Sequence, residues 1–219
     1  PIVRDVETMV TLLNTIGSSV KLNKKKKTIE ILNKKKLKTL APYSLVKTMR
    51  AGVLVLGPLL AKYGSAKISL PGGCSIGSRP IDLHLTALKK MGASIKVKNG
   101  YIIASANKGL KGSLIKFAKI SVGATQNILI ASCFAKGKTK LRNCASEPEV
   151  QDLINFLNKL GCKINKVGKR SLDVNGVVNL KSTTHTVIFD RIEAGTYIIA
   201  TALTNGRLKI INIDPKIIS

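Results

Sequence analysis

Cys74 and Arg79 share one glycine-rich stretch, Leu70-Pro-Gly-Gly-Cys74-Ser-Ile-Gly-Ser-Arg79-Pro-Ile-Asp-Leu-His84, and chemistry in this chain is best sought there. A cysteine offers a nucleophile or a proton donor, and an arginine offers a planar fork of donors for a carboxylate or phosphate. Gly72, Gly73 and Gly77 allow positive φ and a close approach of backbone to ligand. Spacing alone leaves a second reading open, a tight turn whose Cys74 tucks into the core. Arg79 has an ion-pair alternative on the surface. By position, Asp82 reads as a first-turn helix acid and His84 as a satisfied, partly buried ring.

The loop needs elements on both sides to hold it. Residues 66–70 alternate like a strand, and a helix-like run begins near Pro80. The same order recurs along the chain. Segments 1–32, 80–104 and 148–174 each open with proline and an acid, run through helically spaced apolar residues to a glycine, and end in two short alternating strands. Those glycines, Gly17, Gly92 and Gly161, fall about seventy residues apart. A second unit, at 44–70, 121–141 and 190–213, starts at Ser44, Ser121 or Asp190 as a candidate N-cap. It continues as an apolar helix, turns at Gly64, Gly137 or Gly206, and leads into a strand, the last at 207–211. Helices this apolar are expected to be buried on most sides. Arg50 falls in the first turns of the helix opened by Ser44, and Lys119 with Ser121, Val122 and Gly123 opens the helix 124–135. The repeated plan predicts an α/β fold with a roughly three-fold assembly. Asp214-Pro215-Lys216-Ile217 matches the start of a further copy, so the sequence reads as cut at both ends.

Composition narrows the function. With 219 residues, 44% of them hydrophobic, the chain can build a substantial core. The longest apolar run, 51–61, contains Gly52, Gly57 and Pro58 and falls well short of the roughly 18 residues of a membrane span. No cationic leader precedes Asp5, and a cytoplasmic protein is expected. The net charge of +26 invites a nucleic-acid reading. Yet of the 37 basic residues only Arg4, Arg50, Arg79, Arg142, Arg170, Arg191 and Arg207 are arginine, and Ile and Asn are also abundant. That is the signature of A/T-rich codons acting on solvated faces. The densest lysine run, 24–27, falls where a hairpin tip is expected, and four tyrosines with four phenylalanines give no stacking platform. Cys133 and Cys162 read as structural thiols, and the four cysteines lack a metal-type spacing.

With loop and repeat in hand, Val46-Lys-Thr-Met-Arg50-Ala, the loop 70–84, Lys119-Ile-Ser-Val-Gly123-Ala-Thr and Asp190-Arg-Ile-Glu-Ala-Gly195-Thr resemble the motifs of the UDP-N-acetylglucosamine enolpyruvyl transferases. The resemblance runs in order along essentially the whole chain. Ser75, Ser78 and Ile81 stand where Thr, Ala and Val are familiar, which are small exchanges. The sister family, the enolpyruvylshikimate-phosphate synthases, shares the fold but lacks this cysteine loop. The resemblance implies an inside-out α/β barrel of repeated βαβαββ units, with residues 1–188 supplying most of the first domain and 189–219 starting the second. The family's lysine–asparagine pair, its aspartate base and a further arginine would then lie outside this chain, leaving it inactive alone.

By the same resemblance, the activity is transfer of the enolpyruvyl group from phosphoenolpyruvate to the 3-hydroxyl of UDP-N-acetylglucosamine, the first committed step of peptidoglycan synthesis. Cys74 would be the proton donor, able also to form a covalent adduct, and Arg79 would hold phosphoenolpyruvate. Pro80, Ile81, Asp82, Leu83 and His84 would bind the uridine, and Arg50 the substrate. Lys119, Ser121, Val122 and Gly123 would meet the UDP moiety. No cofactor, metal, nucleic-acid or membrane partner is expected. The alternatives are an enolpyruvylshikimate-phosphate synthase-like transferase and a non-enzymatic cationic nucleic-acid-binding fragment.

Overall fold

A computed structural model describes residues 2–33, 36–70, 72 and 81–218, so Cys74, Arg79 and Pro80 lie outside the described residues. The chain divides into two compact units, Ile2–Thr183 and the segment from Thr184 onward.

In the larger unit, helix α1 (Arg4–Thr15) leads to the hairpin β1 (Ser19–Asn23) and β2 (Thr28–Leu32), with residues 24–27 as its exposed tip. Two fuller units follow. The first runs β3 (Leu40–Ala41), α2 (Tyr43–Val46), a 3-10 helix (Arg50–Val55), α3 (Leu56–Tyr63), β4 (Ser65–Ser69), α4 (Asp82–Lys90), β5 (Ser94–Lys98) and β6 (Tyr101–Ser105). The second runs β7 (Leu114–Lys116), α5 (Val122–Ser132), β8 (Lys138–Arg142), α6 (Pro148–Lys159), β9 (Lys163–Gly168) and β10 (Ser171–Asn175). Each makes a four-stranded mixed sheet of the same order, β3-β4-β6-β5 and β7-β8-β10-β9. The first two strands of each are parallel and the remaining pairs antiparallel. That is a βαβαββ unit twice over, with α1-β1-β2 matching the end of another. Among the described residues no sheet closes on itself.

Physical signals at the element ends explain the repeat. Gly17, Gly92 and Gly161 all take positive φ just past a helix, where glycine is the least strained residue. Strand alternation buries one face, with Ala66 and Ile68 on β4, Ile102 and Ala104 on β6, and Leu172 and Val174 on β10. Asp173 on β10 is held by Lys138 at 2.8 Å and Arg142 at 3.0 Å, both on β8. Helix α5 lies at the centre of the unit, against α3, α4, α6 and the 3-10 helix. It has no polar stripe because almost every side is covered.

Three expectations are corrected. Ser44 does not open a helix carrying Arg50: α2 starts at Tyr43 after Pro42 and ends at Val46, and Met49 is extended, so Arg50 begins the separate 3-10 helix. Past this break Gly52 packs closely against Val46. The strand at 207–211 does not form, since no described strand pairs with it, and the turn before it is made by Asn205 at φ 47°. Helix α7 (Arg191–Leu203) is capped by Asp190 as its sequence requires, but its apolar residues Ile192, Tyr197, Ile199 and Leu203 are exposed. Its only buried residue is Ala194, since the segment 184–218 offers little surface for it to pack on.

Candidate functional site

The described part of the site is assembled by the N-terminal ends of three helical segments. Ile81 accepts the N–H groups of His84 and Leu85 and so starts α4, which leaves Asp82 exposed on its first turn and sends His84 inward. Ser121 caps α5 by accepting the Ala124 N–H at 3.2 Å, and Val122 and Gly123 form the first turn, half-buried. Arg50, half-buried, heads the 3-10 helix. Lys119 is exposed just ahead of the Ser121 cap. Gly72, the one described glycine of the loop, rests on the Lys47 carbonyl so closely that a Cβ could not fit.

His84 joins these segments. A Cβ on Gly123 would lie 3.6 Å from both Cε1 and Nε2 of the imidazole, so the ring edge faces the first turn of α5. Its other nitrogen, Nδ1, lies 3.0 Å from Asn127 Nδ2. Burial, aided by the positive charge of Arg50 and opposed by Asp82, lowers the ring's pKa to about 4, so it is neutral at pH 7. The geometry therefore brings together Arg50, Asp82, His84 and Gly123, with Ser121 and Val122 on the adjoining turn. A guanidinium, a neutral imidazole and the positive end of a helix can together recognise carbonyl oxygens and anionic oxygens.

Sequence reasoning passed over Asn127. This residue is fully buried in the apolar helix α5, where it donates to His84 and to Val53 O and accepts from Gly57 N. The available signal was the amide pair Gln126 and Asn127 inside an otherwise apolar helix, since any amide buried there must be matched by specific partners.

The thiols separate clearly. Cys133, Cys144 and Cys162 are free and buried. Cys133 donates to Leu129 O at 3.4 Å, and its hydrogen bond with Cys162 together with burial raises its pKa. Burial pushes Cys144 up to about 11.

Against known families, the model of EPSP synthase (3-phosphoshikimate 1-carboxyvinyltransferase) matches residues 1–219. The chain belongs to the EPSP synthase family. Within it, the chain is 60% identical over 219 residues to the UDP-N-acetylglucosamine 1-carboxyvinyltransferase of Pelagibacter ubique, covering 100% of this chain and 52% of that relative. It is 47% identical over 216 residues to the enzyme of the same name from Endomicrobium trichonymphae, covering 99% and 51%. For that of Acinetobacter baylyi the identity is 46% over 218 residues, covering 100% and 52%. The chain thus spans about half the length of these curated relatives. The family fold is seen in the enolpyruvyl transferase NikO from Streptomyces tendae, with a TM-score of 0.79 at 19% identity, over 98% of this chain and 48% of that one. An EPSP synthase from Acinetobacter baumannii matches with a TM-score of 0.70 at 19% identity, over 90% and 44%. Among the described residues no helix is long and apolar enough to cross a membrane.

Proposed function

We propose that this chain is part of a UDP-N-acetylglucosamine 1-carboxyvinyltransferase of peptidoglycan synthesis, acting in the cytoplasm on two small-molecule substrates. The observation that carries the reading is the 60% identity over the whole chain to the Pelagibacter ubique relative of that name. The cysteine loop of residues 70–84 points the same way, because the sister synthases lack it. Residues 1–188 contribute most of a first domain and 189–219 begin a second.

In this reading, the sugar 3-hydroxyl adds to C2 of phosphoenolpyruvate, giving its proton to the aspartate base that the resemblance places outside this chain, while a proton is delivered to C3, and a tetrahedral ketal forms. Loss of a proton from C3 then re-forms the double bond as the C2–O bond to phosphate breaks, releasing phosphate. Cys74 delivers the proton, the role that the resemblance implies for it. Arg79 offers the phosphate a planar fork of donors, a shape that lysine lacks. The segment Pro80, Ile81, Asp82, Leu83 and His84 holds the uridine, with Asp82 exposed at the start of α4 and able to accept from the uracil N–H. Arg50 and Lys119 bring positive charge to the diphosphate, and Ser121, Val122 and Gly123 present the N-terminal turn of α5 to it.

The test is phosphate release by the full-length gene product given phosphoenolpyruvate and UDP-N-acetylglucosamine. Cys74→Ser should lower turnover at least about a hundredfold without changing the fold, whereas Cys74→Asp, which keeps a proton donor, should retain much of it. A Cys74→Ser variant as active as the wild type would refute this assignment of the proton donor.

A further inference from the structure

We infer that Asn127 is a positioning residue of the nucleotide-sugar site, holding His84 in one tautomer and fixing it against the segments that carry Arg50 and Gly123. The inference rests on the function proposed above for that site.

The hydrogen bonds allow only one arrangement. The Gly57 backbone N–H can only donate, so the atom 2.9 Å from it must be the amide oxygen of Asn127. The Val53 carbonyl can only accept, so the atom 3.2 Å from it must be the amide nitrogen. A flipped amide would set two donors and two acceptors against each other. Nδ2 carries two protons: one goes to Val53, and the other points to His84 Nδ1 at 3.0 Å. Nδ1 must then accept, which leaves the ring proton on Nε2. That nitrogen is the one facing the first turn of α5 beside Gly123. The site therefore receives a neutral N–H donor of fixed direction.

The same amide ties the site together. Val53 belongs to the 3-10 helix that Arg50 heads, Gly57 opens α3, His84 is on α4, and Asn127 shares α5 with Gly123. Asn127 is 0% exposed, so no water competes for these bonds. No other side chain of this size can do the same. Leucine makes none of the three bonds, and aspartate has no proton for Val53 O. An aspartate would also draw a second proton onto His84 Nδ1. Among the described residues, the charges that act on His84 are Arg50 from the 3-10 helix and Asp82 from its own helix, while α5 has no charged side chain. A carboxylate at 127 would thus be the dominant new charge on the ring.

The experiment uses the full-length gene product as wild type and as Asn127→Asp, with His84→Gln to assign the ring signals. Nitrogen-15 spectra of the imidazole should show the Nε2–H tautomer in the wild type from pH 5 to 8. Asn127→Asp should convert it to imidazolium near pH 6 and raise the KM for UDP-N-acetylglucosamine about tenfold, with a new pH dependence, while the KM for phosphoenolpyruvate changes little. An Nδ1–H tautomer in the wild type overturns the inference without recourse to any variant. So does a folded Asn127→Asp protein whose KM and ring protonation match the wild type. A wild type that does not turn over UDP-N-acetylglucosamine counts instead against the proposed function, and the ring spectra then still decide whether Asn127 fixes His84.

Discussion

At the scale of single residues, the four cysteines carry the first prediction. Cys74 sits in the glycine loop, whereas Cys133, Cys144 and Cys162 are buried, with raised pKa values at Cys133 and Cys144. An electrophilic epoxide phosphonate such as fosfomycin should therefore alkylate Cys74 alone, as read by peptide mass spectrometry. Modification of Cys133 with Cys74 untouched would contradict both assignments. His84 makes a second prediction. Its pKa is lowered from 6.5 to about 4 in the folded chain, so between those values the unfolded state binds a proton that the folded state refuses. Stability should be unaffected by this group above pH 6.5 and fall as pH drops toward 4, by about 3 kcal/mol in all. Urea unfolding at several pH values should show that slope in the wild type and lose most of it in His84→Gln. The buried ring was legible from its position on a helix face. Its partner was not, because pattern reasoning treats α5 as uniformly apolar and the three groups that satisfy Asn127 come from distant parts of the chain.

At the scale of elements, what could be read was whatever a local signal encodes. The helix–glycine punctuation at Gly17, Gly92 and Gly161 and the caps at Ser121 and Asp190 are local, and all of them formed. The strand at 207–211 depended on a pairing partner, which alternation cannot supply, and Arg50 falls in its own 3-10 helix because the backbone is extended at Met49, which periodicity does not signal. Close packing makes its own prediction at the crossing of α3 and α5. A Cβ on Gly57 would collide with the Asn127 side-chain oxygen and would also lie 2.7 Å from the Asn127 carbonyl. Gly57→Ala should therefore destabilise the fold by about 2 kcal/mol or more despite the better helix propensity of alanine. Thermal unfolding reads this directly, and a variant as stable as the wild type would mean that the helices do not cross so closely.

At the scale of the molecule, two βαβαββ units and the end of another make a scaffold in which Arg50, Asp82 and Gly123 lie in the first turns of the 3-10 helix, α4 and α5. The net charge of +26 is spread over solvated lysines, among them the hairpin tip 24–27, and does not by itself mark a polyanion site. On the function proposed above, the acceptor is a nucleotide sugar rather than the acceptor of the sister synthases. The decisive measurement is the identity of the product when the full-length gene product is given phosphoenolpyruvate with UDP-N-acetylglucosamine and shikimate 3-phosphate together. Mass spectrometry should find the nucleotide sugar carrying one enolpyruvyl group for each phosphate released and the shikimate unchanged. An enolpyruvyl group on shikimate 3-phosphate, with the nucleotide sugar returned intact, would contradict the account.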